Sequence, residues 1–527
     1  MLTTSRRGGH RGRIDWSSLP IHPLLVAAYP VVFLFATNAT EQVSLAPMWS
    51  PLVMALGGAL VALSIGVVIT RSWHRGALIA TVLVAGFFGY GHAWNAAVAV
   101  LDSQWLLIGA WALLVLIGLV VAWRFRRRAR TATRVLNLVA AIALLLNAWT
   151  LAGTMVAVAS VGTIPGDLTE LQLDPPADDL PDVYYVILDR YAGSNGLAEA
   201  YDFDNEPFLT ALEERGFDVA RNAHANYIKT PLSLASSLNM EFLDAEALKD
   251  EAQSGDDREP IHRALGRHLV VPGALKELGY RYIHVANWWT PTATNVDADR
   301  TFRYDGQDEF STVLAQTTLL RAFTEPEAAP TDPWDWRILR GHSAYALDRL
   351  DEIPELPGPK FVFAHLLLPH DPYVFDRDGS FMDRDQVASQ GQPESYRRQL
   401  SYLNDRMLQM VDNIIAGSGE DAVIMIQADE GPFPARYRAS EWGFQWRDAT
   451  DAELEEKFGI LFAMRVPGAD LEAEGFHDAI TPVNTFRIIF NARFGTDLPL
   501  LPDRTWAHEN LSHFYDFFEI TERLDHG

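Results

Sequence analysis

At 527 residues the chain is too long for one small core, so at least two domains are expected, and with no cysteine it excludes disulfides, zinc–thiolate sites and cysteine nucleophiles. Residues 1–159 hold twelve Arg, no Lys and three acids (Asp15, Glu41 and Asp102), whereas 160–527 hold 31 Lys and Arg against 65 Asp and Glu. A surface that acidic argues against nucleic-acid partners, which require basic patches.

In chain order, five apolar stretches come first, at about 21–38, 51–70, 77–99, 105–123 and 135–159. Each is near the ~20 residues a helix needs to cross the hydrocarbon core. Arg6, Arg7, Arg11 and Arg13 precede the first stretch, and Arg71 and Arg75 separate the second from the third. Arg124, Arg126, Arg127, Arg128, Arg130 and Arg134 separate the fourth from the fifth, while the loops around 39–50 and 100–104 have none. The positive-inside rule then predicts a multi-pass plasma-membrane protein with a cytoplasmic N-terminus and everything after the fifth span outside. The first stretch has no small-residue cleavage pattern and reads as an uncleaved helix. Residues 1–159 are thus expected as a five-span transmembrane domain with the bilayer as its partner. The Pro- and Asp-rich residues 160–181 read as a linker, and 182–527 as an extracytoplasmic domain.

That domain opens on Val183–Leu188, six apolar or aromatic residues that read as a strand buried on both faces and stop at Asp189. Thr230-Pro231 reads as a helix start, with Thr as the cap and Pro at the first helical position. A hydroxyl there also sits in an anion site, where free backbone N–H groups and the helix dipole favour phosphate or sulfate. Residues 272–287 read as helix, Gly279, then strand, and the acidic, Pro-containing 305–358 as an insertion over the sheet. Phe361–Leu367 is a further buried strand. His365 within it reads as a hydrogen-bonded core histidine, whereas His370, in a Pro-flanked turn at the strand's carboxyl end, is where a site residue would be presented. After an amphipathic helix at 394–416, Ala422–Gln427 forms the last core strand and runs into Asp429-Glu430-Gly431-Pro432. In a sheet of parallel strands these ends converge on one edge. Carboxylates and a hydroxyl together form an oxygen-rich set suited to a hard divalent cation, with the hydroxyl as nucleophile.

The segments PDVYYVILDRYAG (181–193), NYIKTPLSLASSLNMEFL (226–243), HLLLPHDPYVF (365–375), YLNDRMLQMVDNII (402–415) and IQADEGP (426–432) resemble the alkaline phosphatase/sulfatase superfamily. Within it they are similar to the membrane-anchored sulfatase-like branch that includes the lipoteichoic acid synthases (phosphoglycerol transferases). The resemblance implies an α/β/α sandwich with a mostly parallel central sheet. It implies one divalent metal held by Asp189, Thr230, Asp429 and Glu430, with Thr230 also the nucleophile and His370 near the substrate head group. The implied activity is hydrolysis or transfer of phosphate esters on lipid-linked or glycan substrates of the cell envelope, through a threonine-linked intermediate. The oligomeric state is left open.

Two departures from the family pattern stand out. Asp429-Glu430-Gly431 replaces Asp-His-Gly, which hardens the site and favours Mn²⁺ or Mg²⁺ over Zn²⁺, with Ca²⁺ also admitted. Arg190 stands where relatives commonly have Gly, placed to pair with a substrate phosphate or to neutralise the extra carboxylate. Sulfatase chemistry needs Cys or Ser where this chain has Thr230, so sulfate is the less favoured ester. The departures also support a second reading, a catalytically impaired domain serving binding or assembly in envelope polysaccharide biosynthesis or export.

Overall fold

The structure, a computed structural model, describes residues 18–38, 45–97, 104–160, 173, 180–266, 268–304, 309–323 and 336–524. Each expected apolar stretch is a helix: α1 (His22–Thr37), α2 (Ala46–Thr70), α3 (Trp73–Ala97), α4 (Gln104–Arg124) and α5 (Ala129–Ser160). Four of them, α2 to α5, are long and apolar enough to cross a membrane. The first has 16 residues, which at 1.5 Å per residue covers about 24 Å, short of the ~30 Å hydrocarbon core. Their burial is the reverse of a water-soluble bundle. α1 buries Ala27, Val31 and Phe35, while Val68 (76 %), Trp105 (73 %) and Trp149 (82 %) on α2, α4 and α5 stay exposed. A bare apolar perimeter suits hydrocarbon as solvent. The N-terminal arginines through Arg13 and nearly all of the expected linker at 160–181 lie outside the described residues.

Contacts divide the chain into two compact units. The first contains α1–α5 and also residues 310–323, which corrects the expectation of an insertion over the sheet. That segment holds the helix Glu309–Thr317 and a 3₁₀ turn, Leu319–Phe323. Phe310 and Leu314 share an apolar cluster with Val31 and Phe35, and the Phe35 and Phe310 rings meet edge-on at 5.2 Å. Gly91 of α3 permits the approach: a Cβ there would lie 2.1 Å from the Gln316 carbonyl oxygen.

The second unit is built on a seven-stranded sheet. Its strands are β1 (Val183–Leu188), β2 (Asp218–Val219), β3 (Arg281–Val285), β4 (Arg300–Phe302), β5 (Lys360–Leu366), β6 (Val423–Gln427) and β7 (Phe462–Arg465), in the order β2-β7-β6-β1-β5-β3-β4. From β6 to β4 the strands are parallel, and β7 and β2 close one side in antiparallel pairing. The central β1, β5 and β6 are buried along their whole lengths, as continuous runs of Val, Ile, Tyr and Phe require when helices cover both faces. Among those helices are Thr230–Asn239, Trp336–Glu352, Gln392–Ser418, Asp451–Phe458 and Thr485–Phe494. This is the mostly parallel α/β architecture expected. Lys360 and Asp182 form a buried ion pair at the starts of β5 and β1, the edge opposite the one described next.

Replacing Gly91 by Val should drive residues 310–323 off the membrane helices. Limited proteolysis of the purified chain is expected to cut this segment faster in Gly91→Val, and unchanged in Gly109→Val, where an added Cβ meets nothing within 4 Å.

Candidate active site

Three adjacent parallel strands deliver the site. Ile187 of β1 is in register with His365 of β5 and Gln427 of β6. Residues in register share a face, and side chains alternate along each strand. Asp189 and Asp429 stand two residues beyond Ile187 and Gln427, so both carboxylates return to the face carrying His365. The ladder runs one step past β1, with the Asp189 N–H donating to the Leu366 carbonyl at 2.9 Å. Asp189, His365 and Asp429 are buried, and each offers a ligand atom within 4.8 Å of the other two. Asp189 Oδ1, His365 Nε2 and Asp429 Oδ2 have no hydrogen-bond partner among the described residues.

Thr230 adjoins this cluster, and its side chain favours the ionised form of Asp429 against the effect of burial. The expected capping role is corrected. Lys229 is the N-cap, with an extended backbone (φ −136°), while Thr230 and Pro231 are the first and second helical residues and no side chain caps the helix. The whole helix Thr230–Asn239 is buried.

Glu430, expected beside Asp429 as a ligand, engages other partners. Its Oε1 lies 2.9 Å from Lys457 Nζ and 3.6 Å from Arg190 Nε, while its Oε2 is buried without a partner among the described residues. Lys457 arrives from the last turn of Asp451–Phe458, a helix started by a Thr450–Glu453 capping box. A reciprocal clasp holds it: Gly431 N–H donates to the Lys457 carbonyl, and Lys457 Nζ to the Gly431 carbonyl, both at 2.8 Å. Gly431 is required for that approach, since a Cβ would meet the Glu456 carbonyl oxygen at 2.3 Å.

Arg190 has φ +61°, the left-handed region where a side chain is strained. It is held there at both ends. Its carbonyl accepts from the Tyr396 hydroxyl at 2.9 Å, and its Nη1 lies 2.6 Å from Asp371 Oδ1. His370 is tied to the same turn: its N–H donates to the Asp189 carbonyl at 3.1 Å. Arg190, His370, Asp371, Phe433 and Arg438 line one recess. Phe433 also presents its ring to three cations, with Lys457 Nζ at 3.5 Å, Lys229 Nζ at 4.0 Å and Arg190 Cζ at 4.7 Å.

Burial dominates the electrostatics. It raises Asp189 well above the carboxylate range, helped by Asp429, and raises Asp429 to about 7, helped by Glu430. Burial lowers Lys457 to about 8 against the opposing pull of Glu430, and lowers Lys229 well below the usual lysine value. His365 is lowered to about 3 by burial and His370, and His370 to about 4 by burial and Arg190, so both imidazoles are neutral. Burial opposes the charge of Arg190, but Asp371, Asp189 and Glu430 together raise it.

The structure therefore brings Asp189, Asp429 and Thr230 into one cluster, with Arg190 and His370 on the adjoining recess. Sequence reasoning passed over His365, Lys457 and Lys229. Only the strand register, which puts His365 opposite Ile187, marks it as more than a core histidine.

No protein-family model matches the sequence, and no curated protein matches it. Solved structures are similar to it. The integral membrane lipooligosaccharide phosphoethanolamine transferase A (EptA) of Neisseria meningitidis is 12 % identical, over 89 % of this chain and 95 % of that one, with a TM-score of 0.39. The C-terminal periplasmic domain of EcEptC from Escherichia coli is 13 % identical, over 66 % and 95 %, with a TM-score of 0.43. The lipoteichoic acid synthase LtaP of Listeria monocytogenes is 12 % identical, over 67 % and 93 %, with a TM-score of 0.38.

Removing one partner of a buried ion pair leaves the other uncompensated, at a cost of about 3 kcal/mol or more. Lys457→Met should lower the unfolding free energy of the purified chain by that amount. The double variant Lys457→Met with Glu430→Gln should recover more than half of it in denaturant titrations, since no buried charge is then orphaned.

Proposed function

We propose that the chain is a membrane-anchored enzyme that transfers or hydrolyses phosphate esters of envelope lipids or glycans, with Thr230 as its nucleophile. On the evidence of the arginine-bearing loops, its N-terminus is cytoplasmic and its α/β domain lies outside. One observation carries the activity. A buried threonine side chain interacts with Asp429 beside a cluster whose facing atoms, Asp189 Oδ1, His365 Nε2 and Asp429 Oδ2, lack partners among the described residues. Buried polar atoms are seldom left unpaired, so such a group is arranged for a ligand from elsewhere.

The donor set fits a divalent cation, which Asp189, Asp429 and Thr230 would hold. When bound, it supplies the positive charge that eases ionisation of the hydroxyl and offsets charge on the phosphoryl oxygens. The chain's own residues do the rest. Thr230 Oγ forms the bond to phosphorus as the P–O bond to the donor alcohol breaks, and the Thr230 proton passes by way of Asp429 to the departing oxygen. An acceptor hydroxyl or water then attacks the phosphothreonine, and its proton returns by the same carboxylate to Thr230. Arg190 and His370 bind the head group from the recess, Arg190 as a permanent cation and His370 as a neutral donor and acceptor. Lys457 and Arg190 offset the extra charge of Glu430, which would otherwise repel an anionic ester. The engagement of Glu430 by Lys457 also favours the second reading, a binding or assembly domain without turnover, because it withdraws an expected ligand.

Two outcomes separate these readings. Thr230→Ala should abolish turnover of a phosphodiester glycolipid donor in detergent, with Thr230→Ser retaining part of it; equal turnover in wild type and Thr230→Ala would overturn the mechanism. The second outcome follows from the raised carboxylates. Without a cation, the folded state is penalised as pH rises from the ordinary carboxylate value near 4 to about 7, because the unfolded chain ionises first. A cation removes that penalty. The rise in Tm on adding Mn²⁺ should therefore be small at pH 5 and grow as pH rises through about 7.

A further inference from the structure

Resting on that reading, we infer that the cation is bound through His365 together with Asp189 and Asp429, and that Glu430 is the counter-ion of Lys457 and Arg190 instead of a ligand. The geometry separates the two roles. His365, Asp189 and Asp429 form the group whose ligand atoms lie mutually within 4.8 Å, and Glu430 stands outside it. His365 Nε2 is 3.7 Å from Asp189 Oδ2, too far for a hydrogen bond, and has no other partner among the described residues. Glu430 also has one bare oxygen, but its other oxygen is fixed to Lys457 at 2.9 Å.

The far side of the imidazole bears on which nitrogen is free. Asn287 Nδ2 donates to the His365 carbonyl at 2.8 Å and to Thr292 Oγ1 at 2.9 Å, and the Thr292 hydroxyl donates back to Asn287 Oδ1 at 3.3 Å. His365 Nδ1 lies 2.9 Å from Thr292 Oγ1 and 3.2 Å from Asn287 Nδ2. A cation on Nε2 needs the ring proton on Nδ1, where Thr292 Oγ1 can accept it, and the Nε2 lone pair then faces the two carboxylates. Trp289 packs edge-on against the ring at 5.8 Å and fixes its plane.

A histidine that the strand register places two positions short of the carboxylates thus supplies the nitrogen that Glu430 cannot. The chemical consequence differs from that of an all-oxygen site. One imidazole and two carboxylates select Mn²⁺ or Zn²⁺ over Mg²⁺ and Ca²⁺, which bind oxygen far better than nitrogen.

The test uses the full-length chain in detergent with Mn²⁺ alone, read by electron spin echo modulation and by equilibrium binding. Wild-type protein should show a directly coordinated ¹⁴N, a readout that requires no variant to fold. His365→Gln should lose that signal and weaken Mn²⁺ more than about tenfold, whereas Glu430→Gln should keep the signal and change affinity by less than about threefold. Bound Mn²⁺ without nitrogen coupling in the wild type, or affinity lost in Glu430→Gln and kept in His365→Gln, would overturn this ligand assignment while leaving metal-dependent chemistry standing. Failure of the wild type to bind Mn²⁺ or Zn²⁺ at all would overturn both.

Discussion

Carboxyl groups buried side by side constrain the α/β unit. The register of β6, β1 and β5 brings Asp189 and Asp429 to one sheet edge, and Glu430 follows directly in sequence. Three buried carboxylates repel one another strongly where the effective dielectric is low. The surrounding architecture answers that repulsion. A capped helix ends so that Lys457 reaches Glu430, and Gly431 lets the two backbones clasp. Phe433 then offers a polarisable face to Lys457, Lys229 and Arg190, a way to keep three cations close without pairing each to an acid. The residual imbalance falls on Asp189 and Asp429, whose facing atoms have no partner among the described residues.

Arg190 shows how the balance extends into the recess. A residue that immediately follows a strand-end aspartate and must turn at φ +61° would be cheapest as glycine. Here an arginine bears the strain, anchored through Tyr396 and Asp371, and in return places a fixed cation between Glu430 and the recess. The same turn positions the His370 backbone against Asp189. A change at 190 therefore acts on the charge of the buried cluster and on the shape of the recess together.

Much of this was legible in the sequence because it is written in local pattern. Twenty-residue apolar runs announce membrane helices, and unbroken runs such as Val183–Leu188 announce doubly covered parallel strands. An acid directly after such a strand lies at the edge where ligands bind, which is how Asp189 and Asp429 could be singled out. What stayed hidden depends on partners distant in sequence. His365 looks like a core residue within its own strand and acquires meaning only from its register with β1. Lys457 is carried in by a separate helix, so nothing near Glu430 in sequence shows that its charge is already met. Thr230 looked like a cap because Thr-Pro commonly is one, yet the helix begins a residue earlier and leaves the side chain to Asp429. Residues 310–323 are hidden within the acidic 305–358, although they carry no acid themselves and dock Phe310 and Leu314 against α1.

The distribution of charge bears on how a substrate would arrive. Residues 160–527 carry more than twice as many acids as bases, so the exterior repels anions approaching from solution. At the recess acids and bases are mixed, with Arg190 and Arg438 beside Asp371 on its lining, and Lys229 and Lys457 gathered on the Phe433 ring. Such a field disfavours capture of a free phosphate ester from bulk yet rewards one already held close, since the attraction is short-ranged and desolvated. On the proposed function, a lipid-linked ester meets that condition, because its anchor confines it to the bilayer and local concentration takes the place of long-range steering. On the proposed function, the membrane helices and the acidic exterior are two halves of one selection, admitting esters presented by the bilayer and turning away soluble ones.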